Sequence, residues 1–300
     1  MSDLPSTHVD ADAWVAAAAD DSGEHVVRRV MRVILLAVAR SPRLNGIMAV
    51  KGGVLLALGY GTDRHTKDVD FSTIRTVQEE DVEGILTELS RALESACGDA
   101  DDELLCRVQK REMKPPAADA SFPTLRIRVG YAIKGEKEFR RMVQGRPSAK
   151  VVLIDLSFNE QTCYATSITI DGHELAAYSL FDQAAEKYRA MIQQTSARRG
   201  RIRRQDVYDL YRLISMGYLA TADDRAYLLA AMRQKFTARD LPCERGLIED
   251  PEIAERSRSN YHRLQDEIDG GLPDFDLAFG VVKEFYLSLP WDRAGRLVGA

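Results

Sequence analysis

Apolar positions first recur with helical spacing in residues 25 to 40, HVVRRVMRVILLAVAR, where Val27, Val30, Met31, Ile34, Leu35 and Val38 share one face. Ser41-Pro42 closes that helix. The run GIMAV, residues 46 to 50, predicts a short buried strand that leads into a glycine pair, Gly52-Gly53. VLLALGY then reads as a helix stopped by Gly59 and Gly61, and Asp68 to Ser72 as a strand. EEDVEGILTELSRALESACG is an amphipathic helix. TLRIRVGYAI and AKVVLIDLSFNE alternate as strands do, with a charged connection, KGEKEFRRMVQGRPS, between them. Near residue 175 the pattern changes. LFDQAAEKYRAMIQQ, RQDVYDLYRLISMG, DDRAYLLAAMRQKF, PEIAERSRSNYHRLQDEI and FDLAFGVVKEFYLSL are all helical, and no strand pattern follows Tyr178. The expected class is α+β, with a mixed-sheet first half, residues 1–175 (core about 25–170), and an all-helical second half, residues 176–300, packed tightly against it.

At 300 residues, 45% hydrophobic and 29% charged, the chain can bury a full core, and wholesale disorder is excluded. No apolar run reaches the roughly 18 residues a membrane span needs, and the acidic start MSDLPSTHVDADAW lacks the features of a secretory signal. Cys97, Cys106, Cys163 and Cys243 have no C-x-x-C spacing, so neither zinc nor a disulfide framework is indicated. The expected compartment is the cytoplasm. A net charge of −5 excludes a protein coated in basic charge but leaves room for a local patch. The segment 196 to 204, SARRGRIRR, concentrates five arginines in nine residues. It reads either as a solvated loop or as a contact for nucleic-acid phosphates.

The chemistry lies in KGGVLLALGYGTDRHTKDVDFS, residues 51 to 72. Asp68 and Asp70 stand two apart on a strand, so their carboxylates leave the same face. Two ionised carboxylates that close repel unless a cation sits between them, and Mg²⁺, which bridges carboxylates to phosphates, suits the place. Asp155 is a charge inside the apolar strand VVLIDL, where a metal or cationic partner is expected. Glycines before a helix let backbone N–H groups approach a phosphate without hindrance from a Cβ. Carboxylate-held metal beside such a cradle suits in-line displacement at phosphorus.

Gly52-Gly53, then Arg64-x-Thr66-x-Asp68-x-Asp70-Phe71, then the Asp155 strand, resembles the polymerase-β-like nucleotidyltransferase superfamily. Ala184-Ala185-Glu186-Lys187-Tyr188-Arg189-Ala190 and the stretch Arg203 to Tyr211 narrow the resemblance to the AbiEii-type nucleotidyltransferase toxins, which include the mycobacterial MenT group. It runs from about residue 48 to 215; the final residues match only in being helical. The resemblance implies that Asp68, Asp70 and Asp155 hold Mg²⁺ or Mn²⁺, with Asp155 a third ligand or the base. It implies that Gly52, Gly53 and Thr66 contact the nucleotide, Thr66 standing where the family usually has Ser. Lys187 would bind the triphosphate, and Asp209 would orient Lys187 or the substrate. It implies transfer of NMP from an NTP to RNA, foremost the 3′ end of tRNA, with release of pyrophosphate, a block of translation, and a cognate antitoxin. Arg198, Arg199 and Arg201 would then grip RNA.

The chain departs from the family at Gln205-Asp206, where Arg-Asp is common, so that arginine's role passes to Arg203 or Arg204 or is absent. Two rival readings stay open: the same site acting on a protein hydroxyl or small molecule, and a nucleotide-binding module without catalysis. His65 is expected in a loop, Asp206 in an ion pair with Arg203 or Arg212 or beside Asp209 in the site, and Lys187 off the packed face of its helix, free to reach the cleft.

Overall fold

The structure, a computed structural model, describes residues 7–19, 21–74, 81–115, 122–195, 198 and 202–292. The first half runs β1 (Thr7–Val9), α1 (Ala11–Ala16), α2 (Ser22–Arg40), α3 (Pro42–Asn45), β2 (Met48–Lys51), α4 (Gly52–Tyr60), β3 (Asp68–Thr73), α5 (Asp81–Ala100), β4 (Leu104–Lys114), β5 (Thr124–Ile133), α6 (Lys137–Val143), β6 (Val151–Ser157), β7 (Ala165–Ile170) and β8 (His173–Tyr178). The helical half follows with α7 (Leu180–Ile192), α8 (Arg204–Ser215), α9 (Ala222–Thr237), α10 (Pro251–Arg258) and α11 (Phe275–Leu287). The eight strands form one mixed sheet in the order β1-β7-β8-β2-β3-β6-β5-β4. Pairs β1/β7, β2/β8 and β3/β6 are parallel, and β2/β3, β5/β6, β4/β5 and β7/β8 antiparallel.

Helix α2 starts where the Asp21 carboxylate accepts from the backbone N–H groups of Gly23 and Glu24, and it carries Glu24 in its first turn and Arg40 in its last, as the helix dipole favours. Helix α4 ends at Gly61, held at φ 63°, a left-handed cap suited to glycine; Gly59 lies inside the helix. Helices α2 and α5 pack on each other and cover one face of the sheet, α2 against β6 and β8 and α5 against β4. Val69, Phe71, Leu125, Ile127, Val129, Val152, Ile154 and Leu156 point into that layer and build the first apolar cluster. By strand alternation the residues between them, Asp68, Asp70, Arg126, Arg128 and Asp155, leave the opposite face. A second apolar cluster joins the helices of the second half around Tyr188, Tyr208, Phe236 and Tyr286. No helix of the described residues is long and apolar enough to cross a membrane.

The local pattern misses several elements. The charged connection after β5 contains α6, a helix too short to show a period. Strand β4 mixes charged and apolar residues because it is a sheet edge, where charge discourages pairing with another chain. The pattern PEIAERSRSNYHRLQDEI breaks at Asn260 (φ 58°), and Tyr261–Glu267 continues as a 3-10 turn.

Candidate active site

Sheet register sets one charged row across four strands. Lys51 of β2 faces Asp70 of β3, Asp70 faces Asp155 of β6, and Asp155 faces Arg126 of β5. One pleat away on β3, Asp68 joins the same face, and oxygens of Asp68, Asp70 and Asp155 lie within 4.8 Å of one another. Arg126 forks onto Asp155, Nε to Oδ1 at 2.7 Å and Nη2 to Oδ2 at 2.6 Å. Thr66 donates from Oγ1 to Asp68 Oδ1 at 2.8 Å, fixing that carboxylate's orientation. Burial, followed by the charges of Asp68 and then Asp155, pushes the Asp70 carboxyl up to about 7, although Lys51 works against the shift. Three hard oxygen donors that repel one another in this way fit a divalent cation such as Mg²⁺ or Mn²⁺.

Gly52 takes φ +76°, and a Cβ there would sit 2.1 Å from Asp70 Oδ2. At Gly53 a Cβ would come within 3.1 Å of Arg64 Nη2 and of Thr66 Cβ. The glycine pair therefore lets the first turn of α4 close directly over the acidic row. Gly52→Ala is expected to cost about 1–3 kcal/mol of stability from backbone strain and to displace Asp70. Gly98→Ala, inside α5 with nothing within 4 Å of the added Cβ, is the control and should be neutral or stabilising. Denaturant midpoints of the two variants check this.

Lys187 reaches the cleft from α7 and is paired there. Its Nζ lies 2.6 Å from Asp209 Oδ2 and 3.3 Å from Asp206 Oδ1, and the residue is buried. Arg64 forks onto the same Asp209, Nε to Oδ1 at 2.8 Å and Nη2 to Oδ2 at 3.0 Å. Burial alone would raise the Asp209 carboxyl; Arg64 and then Lys187 hold it down to about 2. Burial works against the Lys187 ammonium, yet Asp209 and then Asp206 keep its pKa above the ordinary lysine value. Asp206 is paired with Lys187 and stands 3.8 Å from Arg203. Below the row, Lys51 bonds Glu186 at 2.9 Å, and Lys235 bonds Asp182 at 3.1 Å over the Tyr178 ring.

Gly52, Gly53, Thr66, Asp68, Asp70, Asp155 and Lys187 line one cavity of about 300 Å³ together with Lys51, Arg126, Gln183 and Arg189. A neighbouring cavity of about 620 Å³ meets it at Arg64, Thr66, Asp68 and Gln205 and adds Asp21, Glu24, Asp266 and Glu267. His65 lies in the loop before Asp68 and contacts Asp269 at 2.5 Å. Arg198 donates to the Ile192 carbonyl at 3.1 Å, at the end of α7. Arg199 and Arg201 lie outside the described residues. The sequence reading assigned no role to Arg126, Lys51 or Gln183. The one signal was Arg126 and Arg128 on the polar phase of an alternating strand.

An acidic triad on a mixed sheet, walled by a helical half that supplies a lysine, is the architecture of a nucleotidyltransferase. The family model of the nucleotidyl transferase AbiEii toxin, type IV toxin–antitoxin system, matches residues 34–281, and the chain belongs to that family. Among solved structures it resembles MenT4, a nucleotidyltransferase toxin from Mycobacterium tuberculosis H37Rv, at 13% identity and a TM-score of 0.56, covering 95% of this chain and 91% of that one. It also resembles JHP933 from Helicobacter pylori at 17% identity and a TM-score of 0.50, covering 89% and 93%. Both likenesses concern the fold. No curated protein matches the sequence. The family brings with it an NTP substrate and an antitoxin partner.

Proposed function

We propose that the protein transfers a nucleoside monophosphate from an NTP to RNA, foremost the 3′ end of tRNA, releasing pyrophosphate and so blocking translation in the cytoplasm. The observation that carries this reading is the triad of Asp68, Asp70 and Asp155 lining one cavity with Lys187, with Asp68 shared with the neighbouring cavity. Mg²⁺ or Mn²⁺ held by these carboxylates would neutralise the charge that develops on the transferred phosphate. Lys187, fixed by Asp209, binds the triphosphate as a point charge, and Gly52, Gly53 and Thr66 bring the first turn of α4 and a hydroxyl to it. The acceptor oxygen bonds to the α-phosphorus as the bridging bond to the β-phosphate breaks and pyrophosphate leaves. Arg126 bonds both oxygens of Asp155 and so fixes how that carboxylate faces Asp68 and Asp70; we assign it the role of ligand and let the acceptor proton pass to cavity water. In this division residues 1–175 carry the metal and the nucleotide, and residues 176–300 contribute Lys187 and Asp209.

Pyrophosphate release with each NTP, with and without total RNA, in Mg²⁺ or in excess chelator, tests the assignment. Release that needs both RNA and the metal is expected; release untouched by chelator would overturn it. Lys187→Ala should raise the NTP concentration needed for half-maximal rate at least tenfold, and an unchanged value would remove Lys187 from the nucleotide site. A second reading has one observation behind it. The acidic lining of the larger cavity, Asp21, Glu24, Asp266 and Glu267, suits a small cationic acceptor, which RNA-independent turnover with a polyamine or aminoglycoside would reveal.

A further inference from the structure

We propose that Lys110 and Arg128, continued by Lys137, Arg140 and Arg146 around α6, form a track that binds the phosphate backbone of the acceptor RNA beyond the catalytic row. The inference rests on the RNA-acceptor reading above.

Register places the start of this track. Asp68 faces Leu153, Leu153 faces Arg128, and Arg128 faces Lys110, so the two cations stand on the same sheet face as the triad. At about 4.8 Å per strand they lie roughly 10 and 14 Å across the sheet from Asp68. Both are exposed, and neither has an acidic partner among the described residues. Their neighbours differ: Arg126 is committed to Asp155, Arg111 to Glu83, and Lys114 lies 3.6 Å from Glu112.

The face continues onto α6. Arg107 pairs in register with Gly130, one pleat beyond Arg128, and its Nη1 donates to the Met142 carbonyl at 2.8 Å, which seats the end of α6 on this face. Lys137, Arg140, Arg141, Gln144 and Arg146 line an open depression of about 630 Å³ that contains no acid. Among the described residues, the one acidic partner to any of its cations is Glu138, 3.2 Å from Arg141.

The side of the site matters as much as the charge. Lys51 and Glu186, the latter next to Lys187 in α7, mark the β2 end of the charged row, where the triphosphate is assigned. In-line displacement brings the acceptor from the side opposite the leaving pyrophosphate, here the β5 and β4 end. Cations without base-reading or apolar companions suit phosphates, which any RNA sequence presents. A protein partner would want aromatic or large apolar anchors, and Val143 is the one large apolar residue exposed on α6.

The test compares wild type with a variant carrying Lys110→Gln, Arg128→Gln, Lys137→Gln, Arg140→Gln and Arg146→Gln. Affinity for total tRNA and for a short single-stranded RNA is measured across a salt series, with NTP binding followed in parallel. The variant should bind RNA at least tenfold more weakly. Its salt slope should flatten by about 0.7 per lost single-strand contact, and NTP affinity should stay the same. Superimposable RNA salt curves would overturn the track. So would intact RNA binding with lost affinity for polyglutamate, which would mark a surface for an acidic protein. Wild type that binds RNA through these cations but never transfers label to it would leave the track standing and remove the RNA-acceptor reading instead.

Discussion

Asp70→Asn is expected to lower the transfer rate by at least 10³-fold, about 4 kcal/mol of transition-state stabilisation, while making the metal-free protein more stable. The first effect follows from removing the middle member of the triad. The second follows from repulsion. The Asp70 carboxyl is pushed up to about 7 by burial and by Asp68 and Asp155, so its ionised form is disfavoured in the folded state. Because the folded protein holds this proton more tightly than the unfolded chain, metal-free stability is lost as pH rises from about 4 to 7. The asparagine variant lacks that loss and should exceed wild type by roughly 1–3 kcal/mol at pH 8, with the gap closing near pH 4. Added Mg²⁺ or Mn²⁺ should raise the thermal midpoint of wild type and leave that of the variant in place. A variant less stable than wild type without metal would make Asp70 a structural residue.

Asp209→Asn is expected to be the most destabilising single change at the site, by about 3–5 kcal/mol, since it leaves buried Arg64 and Lys187 without their shared counter-charge. The acid limb of the stability curve carries the same information. Asp209 is held down to about 2, so its contribution is complete above about pH 4 and disappears as pH falls toward 2. Wild type should show this loss, and the variant should not. A second substitution, Lys187→Met, should recover part of the variant's stability by removing one of the two cations that share Asp209, the one left with only the longer Asp206 contact. A variant as stable as wild type would mean that Arg64 and Lys187 find other partners and that Asp209 does not organise the site.

Much of this site could be read along the chain because the carboxylates of its acidic triad sit in local patterns. Asp68 and Asp70 announce themselves by strand alternation, and Asp155 by a charge inside an apolar run. The helices were legible for the same reason: α2 and α5 carry enough turns for their apolar stripe to be periodic. The partners were not legible. Arg126 reaches Asp155 through strand pairing, and Arg64 reaches Asp209 across 145 residues of chain, contacts that exist only once the sheet and helical half have docked. The cleft-facing position of Lys187 was readable from its helix face. Its two carboxylate partners, Asp209 and Asp206, lie on α8, and only the fold brings them to it. The nine-residue arginine run drew attention by density alone, whereas the cations of β4, β5 and α6 are scattered in sequence and gathered by the fold.

The most direct measurement follows label from an NTP into RNA. Wild type with Mg²⁺ and total RNA should move radioactivity from the α-phosphate of an NTP onto RNA 3′ ends and none from the γ-phosphate, and Asp68→Asn and Asp70→Asn should move neither. Label arriving from the γ-phosphate, or α-label found in protein or a small molecule with none in RNA, would contradict nucleotidyl transfer to RNA by this triad.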